Sequence, residues 1–340
     1  MYEKYNIEER CRKVLEDNGA MVADKARTIL LEEPALKDLR SPLEFISRNW
    51  RDPCTPAMMR LSCEAVGGHP SEIREAALAM SLMHLSFYLW DDMIDKAVSK
   101  SFKPTLFGKF GEGTALIVGG LASAKAFSIL NQMDVDKAKR LTVTELVWNL
   151  WAKMAHAETG TLIWRSMEIF SPRKKFWKIK TEATDLETCL RIGAIIGNGS
   201  KSEINHLGKY GLNLGIILEL WKDFRTSVNL TMELAEKIRS KSIPYSILWA
   251  SQRSEKIRKK LDNLIDEKTI EQTYVKEIVE DMLETKVLDN TAKNIRRYAK
   301  KAKEELIYLK KNNATRTLRS FIAAQPRLFL ESVLNNAGVQ

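Results

Sequence analysis

The sequence predicts an all-α protein built from about ten or more helices. The chain of 340 residues has no glycine between Gly215 and Gly338, where strands at regular spacing would need turn residues. Its nine prolines are spaced so that long proline-free stretches remain. No linker rich in glycine, serine or proline and no short-period repeat divides the chain. We therefore expect one helical domain over residues 1–340.

Three segments show the helical pattern most clearly. Apolar residues recur at helical spacing from Ser71 to about Asp95, and Ser71 stands where a helix-capping residue is expected. The segment 204–223 is strongly apolar, so we expect it near the core. From Glu255 onward the chain is charge-rich and amphipathic, which is typical of outer helices.

Charge and cysteine usage limit the classes of function. The formal net charge is +10, but the basic residues are scattered, which favours a solvated surface over nucleic-acid binding. A basic, partly apolar surface would also suit peripheral contact with a membrane. The four cysteines lack CxxC spacing, which argues against a zinc site and fits a reducing, cytoplasmic location. No run of about 18 uncharged apolar residues occurs, so no membrane span is expected.

An acidic cluster at Asp91, Asp92 and Asp95 is the most informative motif. On a helix the carboxylates of Asp91 and Asp95 share one face, one turn apart, where like charges repel. A hard divalent cation such as Mg²⁺ would offset that repulsion, whereas a solvated acidic helix end is the alternative interpretation. Apolar and aromatic residues from Leu85 to Trp90 precede the cluster. A metal at the rim of an apolar pocket suits a substrate with a diphosphate head and a hydrocarbon tail.

With this motif the sequence resembles the trans-isoprenyl diphosphate synthases, or polyprenyl synthetases, over roughly residues 25–325. Residues 91–95 resemble the first aspartate-rich motif of that family, and Lys180-Thr181 resembles its Lys-Thr pair. Glu158-Thr159-Gly160 and the run from Lys209 to Gly215 are also family-like in order and spacing. The resemblance implies the isoprenoid synthase fold, with helices around a central apolar cavity. It also implies prenyl transfer with Mg²⁺ as cofactor, an allylic prenyl diphosphate as donor, and a homodimer.

The resemblance implies roles for individual residues. Metal ligands would be Asp91, Asp92 and Asp95, and the diphosphate would contact Lys180, Lys241, Lys100, Lys222 and Arg225. On the catalytic or acceptor side stand Thr181, Glu219, Asp223 and His84, the last matching a histidine of the isopentenyl diphosphate (IPP) site. The prenyl pocket would include Met83, Ser86, Phe87 and Tyr88, with small Ser86 allowing a long tail to pass.

Two sites depart from the family pattern. The second aspartate-rich motif aligns with residues 222–226, where Asp223 is the one remaining acid. Lys222 and Arg225 could replace metal charge and meet the diphosphate directly, or form a surface salt-bridge cluster. The segment whose basic residues bind IPP aligns with residues 50–56, where Arg51 is the one basic residue. A diphosphate needs several cations to offset its desolvation.

These departures predict a prenyltransferase that uses an acceptor other than IPP, such as an amphiphile or a lipid. Three alternatives remain at this point. A terpene synthase or diphosphate lyase would act on the donor alone. A non-catalytic subunit would pair with an active synthase, and a divergent chain-elongating synthase would still use IPP.

Overall fold

The structure is a computed structural model that describes residues 2–100, 103–167, 171–228, 232–264 and 271–336. Fifteen α-helices account for most of these residues, so the all-α prediction is confirmed. They are α1 (Tyr2–Thr28), α2 (Arg40–Asn49), α3 (Cys54–Val66), α4 (Arg74–Ile94), α5 (Leu106–Gln132), α6 (Lys137–Ser166), α7 (Pro172–Glu182), α8 (Thr184–Ile196), α9 (Lys201–Val228), α10 (Met232–Arg239), α11 (Tyr245–Ser251), α12 (Glu255–Leu264), α13 (Gln272–Leu283), α14 (Val287–Glu305) and α15 (Asn313–Asn336).

Short elements connect some of these helices. Three 3₁₀ segments cover Ile29–Glu32, Pro34–Leu39 and Leu306–Tyr308. Two strands, β1 (Ser99–Lys100) and β2 (Lys103–Pro104), pair antiparallel between α4 and α5. This hairpin places Lys100 beside the C-terminal end of α4.

The centre of the fold consists of α3, α4, α8 and α9, whose facing side chains are buried. Glycines allow close approach at two contacts. A Cβ on Gly193 of α8 would lie 2.4 Å from the carbonyl oxygen of Met59 in α3, and one on Gly211 of α9 would lie 2.4 Å from that of Leu186 in α8. Larger side chains would push these helices apart, so the two glycines fix the spacing of the walls around the site.

Helix α4 carries the acidic motif. The helix begins at Arg74 and not at Ser71, because Ser71 instead places its Oγ 2.7 Å from Nδ1 of His69 in the preceding turn. Its last helical residue is Ile94, and Asp95 is the C-terminal cap. The amide of Asp95 still donates to the carbonyl oxygen of Asp91, so the two residues keep the helical one-turn relation that their spacing predicts.

Helices α5 and α6 expose apolar side chains. Leu116 of α5 is 57% exposed, and Trp148 of α6 is 62% exposed. Helix α5 is long and apolar enough to cross a membrane by length and composition, with a mean hydropathy of 1.5, although core helices pass the same test. The sequence predicted no membrane span, because charged residues interrupt the apolar run of this segment.

Candidate active site

A cavity of about 870 Å³ opens between the helices. Aromatic and aliphatic side chains form part of its wall, among them Phe87, Trp90 and Trp151. The rest of the wall is densely charged. The acids are Asp52, Asp91, Asp95, Glu158, Glu182, Asp185, Glu219 and Asp223, and the cations are Lys100, Lys103, Lys175, Lys178, Lys222, Arg225 and Lys237.

Asp91 and Asp95 both line the cavity, and each is paired with cations of the chain. Lys100 Nζ lies 3.1 Å from Oδ2 of Asp91. Asp95 accepts from the guanidinium of Arg165, from Lys237 Nζ at 2.8 Å and from Ser242 Oγ at 3.0 Å. Burial would raise the pKa of both carboxyls, but Lys100 and Lys237 respectively outweigh it and lower the two pKa values. Both groups are therefore anions at neutral pH.

Asp92 differs from its two neighbours. Its side chain is fully buried, does not line the cavity, and pairs with Lys100. Burial raises the pKa of Asp92 to about 6. The helical spacing explains the difference, because residues 91 and 95 share a face that residue 92 does not. Asp92 was predicted as a metal ligand together with Asp91 and Asp95. In the structure its side chain points into the protein interior, where it is a counter-ion for Lys100.

The carboxylate oxygens of Asp91 and Asp95 are ligands of the type that Mg²⁺ prefers. Both offer hard carboxylate oxygens on one wall of the cavity, and Mg²⁺ commonly takes one or two carboxylates and completes its shell with water and phosphate. Asp91 is the more available ligand, because it has one ion-pair partner among the described residues, whereas Asp95 has three donors. An ion bound here would share Asp91 with Lys100.

The lysines of α7 that face the cavity are Lys175 and Lys178. Lys178 is 4% exposed and lies 2.9 Å from Glu158 and 3.5 Å from Glu182. Burial lowers the pKa of Lys175, and the neighbouring ammonium of Lys178 lowers it further. The side chain of Lys175 has no ion pair or hydrogen bond among the residues described, so its charge is available to an anionic ligand.

Lys180, the predicted diphosphate ligand of α7, points away from the cavity. It is exposed, and its Nζ lies 5.2 Å from the ring centroid of Phe176. A step of two residues on a helix turns a side chain by about 200°, so Lys178 and Lys180 cannot share one face. Thr181 also does not line the cavity and donates to the carbonyl oxygen of Trp177.

Helix α9 contributes the segment that aligns with the second aspartate-rich motif. Lys222 and Arg225 line the cavity, as does Glu219, whose carboxylate lies 3.6 Å from Lys222. Burial raises the pKa of Glu219 to about 7. This part of the wall therefore carries the cations Lys222 and Arg225 beside the acid Glu219.

Asp223 holds the start of α11. Its carboxylate accepts from the amides of Tyr245 at 2.7 Å and Ser246 at 2.9 Å, and from Ser246 Oγ at 2.8 Å. The two bonds from amides satisfy backbone donors that a helix leaves unpaired at its first turn. The acid that remains in this segment therefore has a structural role.

We expect Asp223→Ala to lower the free energy of unfolding by about 1–2 kcal/mol, because it leaves the first amides of α11 unpaired. Asp223→Asn keeps one acceptor oxygen and should lose less. Chemical denaturation of both variants measures the difference. If Asp223→Ala unfolds at the same denaturant concentration as the unaltered protein, the capping role is wrong.

The wall that aligns with the IPP site has an unexpected charge. Arg51 turns away from the cavity and binds Glu16 at 2.7 Å and Asp24 at 2.9 Å, both on α1. Its neighbour Asp52 lines the cavity together with His84 of α4 and Asp185 of α8. Where the family pattern has cations, this part of the wall carries two carboxylates around a histidine.

The remaining predicted residues are divided between the cavity and the core. Phe87 and Tyr88 line the cavity. Met83 and Ser86 do not; both are fully buried, and Ser86 Oγ donates to the carbonyl oxygen of Gly119 at 2.6 Å. Ser86 therefore packs α4 against α5 and does not border the path of a prenyl tail. Lys241 lies beside a separate small cavity of about 40 Å³.

Sequence reasoning missed several cavity residues. Those that line it are Asp52, Lys175, Lys178, Asp185 and Lys237, and Arg165, which does not line it, contacts Asp95. One signal was available, since residues 175, 178, 182 and 185 follow helical spacing, with two lysines followed by two acids. Arg165 and Lys237 reach Asp95 from α6 and α10, and that convergence depends on tertiary packing.

A metal could also be considered at His84, Asp185 and Cys189, whose ligand atoms lie within 4.8 Å of one another. Burial raises the pKa of the Cys189 thiol to about 12, and its Sγ donates to Oδ1 of Asp185 at 3.8 Å. The two ring nitrogens of His84 already have partners in Thr55 and Asp185. We therefore interpret this group as a hydrogen-bonded cluster.

Helices around a charged, partly apolar cavity, with two carboxylates one turn apart, define an isoprenoid synthase fold. Solved structures share it. A geranylgeranyl pyrophosphate synthetase from Pyrococcus horikoshii superposes with a TM-score of 0.78 and 22% identity, covering 94% of this chain and 98% of that one. A polyprenyl synthase from Caulobacter crescentus, solved with calcium and isoprenyl diphosphate, gives 0.81 at 18% identity, covering 94% and 97%.

The family model for polyprenyl synthetase matches residues 53–282, so the chain belongs to the polyprenyl synthetase family. The curated relatives match smaller parts of the chain. Geranylgeranyl pyrophosphate synthase 12 of Arabidopsis thaliana is 27% identical over 220 residues, which is 61% of each chain. Geranylgeranyl diphosphate synthase of Methanosarcina mazei is 26% identical over 175 residues, 49% of this chain and 52% of that one. The chain thus spans less than two thirds of the length of these two relatives.

Proposed function

We propose that this protein is a Mg²⁺-dependent prenyltransferase that takes an allylic prenyl diphosphate as donor. The donor's head group would lie at Asp91 and Asp95, and its tail along Phe87, Tyr88 and Trp151. Mg²⁺ bound at the two carboxylates would supply Lewis-acid stabilisation of the departing diphosphate. Membership in the polyprenyl synthetase family supports this proposal.

The cations of the chain take a direct part in the proposed reaction. The bond between the allylic carbon and the diphosphate oxygen breaks, and its electron pair leaves with the diphosphate. Lys175, Lys178 and Lys222 lie where that developing charge would be, and fixed cations in a water-poor cavity stabilise it without reorganisation. The aromatic wall excludes water from the carbocation.

We further propose that the acceptor carries no diphosphate. The single observation that supports this is the wall formed by Asp52, His84 and Asp185 beside an Arg51 that binds α1. A second diphosphate would meet carboxylates there, and its desolvation would be uncompensated. Chain elongation with IPP is the second candidate, favoured by relatives that are called geranylgeranyl diphosphate synthases.

One experiment separates the candidates. The purified protein is incubated with Mg²⁺ and radiolabelled allylic diphosphates of several lengths, alone, with IPP, or with a crude extract of acceptors and lipids. We expect a new labelled product with the extract and none with IPP. A longer diphosphate formed with IPP would establish chain elongation, and product from the donor alone would establish a lyase or terpene synthase. Activity that needs an added active synthase would indicate a subunit.

We also propose that the protein forms a homodimer through α5 and α6. Leu116, Ile117 and Leu141 join Trp148 in an exposed apolar group on these helices. Burying such side chains against a second copy would remove them from water. Sedimentation of the purified chain measures its mass in solution.

A further inference from the structure

Thr55, His84 and Asp185 meet at one wall of the cavity, from α3, α4 and α8. Nδ1 of His84 lies 2.7 Å from Thr55 Oγ1 and 3.3 Å from Oδ2 of Asp52, and Nε2 bonds to Oδ1 of Asp185. Asp52 is fixed in turn, because its Oδ1 accepts from the amide of Cys54 at 2.9 Å. The cluster is therefore rigid, and both ring nitrogens of His84 are engaged.

One acceptor atom of the cluster remains open. Oδ2 of Asp185 has no hydrogen bond within the described parts of the chain, although Oδ1 is engaged with His84. The Asp185 side chain is 26% exposed and lines the cavity. A carboxylate oxygen in this position can accept a proton or a hydrogen bond from a molecule in the cavity.

The cluster is negative in either protonation state of His84. Burial would lower the pKa of His84, but the carboxylate of Asp185 outweighs burial and raises it. Two carboxylates around an imidazolium leave one net negative charge, and neutral imidazole leaves two. Lys100, Lys178 and Lys237, cations of the same cavity, are paired with Asp91, Glu158 and Asp95. Within the described parts of the chain, no lysine or arginine forms an ion pair with Asp185.

We propose that this cluster is the acceptor subsite, and that it binds the hydroxyl group of an uncharged alcohol through Oδ2 of Asp185. The hydroxyl oxygen attacks the allylic carbon as the carbon–diphosphate bond breaks, so a carbon–oxygen bond forms and diphosphate leaves with the electron pair. The O–H bond then breaks, and its proton passes to Asp185. The products are a prenyl ether, diphosphate and a proton that Asp185 returns to water. No oxidant or reductant is needed.

Asp185 is the catalytic residue in this scheme, and His84 and Asp52 are positioning residues. A carboxylate is a sufficient base here, because an alcohol oxygen that has bonded to a carbocation is strongly acidic. The hydrogen bond from His84 keeps Oδ1 occupied, which leaves Oδ2 directed at the cavity. This subsite rests on the proposed donor chemistry, but its binding preference can be measured without turnover.

The test uses two probes with one carbon skeleton, 3-methylbut-3-en-1-ol and IPP. The full chain, labelled with ¹³C-histidine, contains four histidines, and the signal absent from His84→Gln identifies His84. We expect the alcohol to shift the ring signal of His84 saturably, and IPP to leave it unchanged. The His206 signal serves as an internal reference, because His206 pairs with Glu305 and does not line the cavity.

Asp185→Asn should weaken binding of the alcohol about tenfold, since the lost hydrogen bond involves a charged group. Glu187→Gln is the matched control, because Glu187 lies two residues further on the same helix and pairs with Arg191. With donor present, Asp185→Asn should lower kcat for ether formation and leave the KM for the donor unchanged.

The results distinguish a failure of the acceptor subsite from a failure of the proposed function. A saturable shift of the His84 signal by IPP would overturn the subsite, as would a signal that neither probe moves. Failure of every donor to react would overturn the proposed function, while the histidine signals would still report which head group the cluster binds. Equal loss of binding in Glu187→Gln would assign the Asp185 effect to the fold.

Discussion

Asp91→Asn is expected to lower Mg²⁺-dependent turnover by at least about 10²–10³-fold, the range found when one group that stabilises transition-state charge is removed. The substitution keeps the size of the side chain and removes the carboxylate that lines the cavity with one ion-pair partner, Lys100. Asp95→Asn should have the same effect on turnover. It should also cost stability, since it leaves Arg165 and Lys237 without their shared anion. Labelled-donor turnover measures both variants.

The matched control for these variants is Asp281→Asn. Asp281 is also a buried carboxylate between two cations, with Lys256 at 2.6 Å and Lys260 at 2.9 Å, but it lies outside the cavity. The Asp281→Asn variant should be less stable than the unaltered protein, but its turnover per folded molecule should be unchanged. Turnover retained in Asp91→Asn and Asp95→Asn would show that the metal site has been assigned to the wrong residues.

Lys178→Met is expected to lower the free energy of unfolding by about 3 kcal/mol, the lower end of the range for removing one partner of a buried ion pair. It leaves Glu158 and Glu182 facing each other in the cavity wall without their shared cation. Donor binding should weaken as well, because two uncompensated carboxylates repel a diphosphate. Urea denaturation and a donor-binding titration measure the two effects.

Lys180→Met is the control for Lys178→Met. It makes the same chemical change two residues away, where the ammonium is exposed and contacts the ring of Phe176. We expect a change within about 0.5 kcal/mol, as at other surface positions, and unchanged donor binding. The reverse result, with Lys180 critical and Lys178 dispensable, would favour the alignment of sequence motifs over the observed face of α7.

The helical fold could be predicted because its signals are local. The spacing of apolar residues along α4 and the absence of glycine between Gly215 and Gly338 both act over neighbouring residues. The shared face of Asp91 and Asp95 followed from one helical turn, and both residues line the cavity. Helical spacing also places Asp92 on a different face of α4, although the motif predicted all three carboxylates as metal ligands.

What could not be predicted depends on contacts between distant segments. Asp223 looks like the remnant of a metal motif in the sequence, yet its oxygens pair with amides 22 and 23 residues further on. The Asp52, His84 and Asp185 cluster joins α4, α8 and the loop before α3, which become neighbours through the close packing of α3, α4, α8 and α9. The orientation of α7 likewise decides between Lys178 and Lys180; the spacing of charged residues groups Lys175 with Lys178, but packing against the other helices fixes which face meets the cavity.

The pairing of Arg51 with α1 has a consequence for protein engineering. Glu16 and Asp24 provide the counter-charges for this guanidinium, and they raise the pKa of Arg51. A shortened chain that begins after α1 would free the Arg51 guanidinium beside the cavity wall that Asp52 lines, so we expect it to gain affinity for anionic compounds. Kinetic constants from such a truncated protein would describe a differently charged enzyme, and substrate screening should therefore retain the amino-terminal helix.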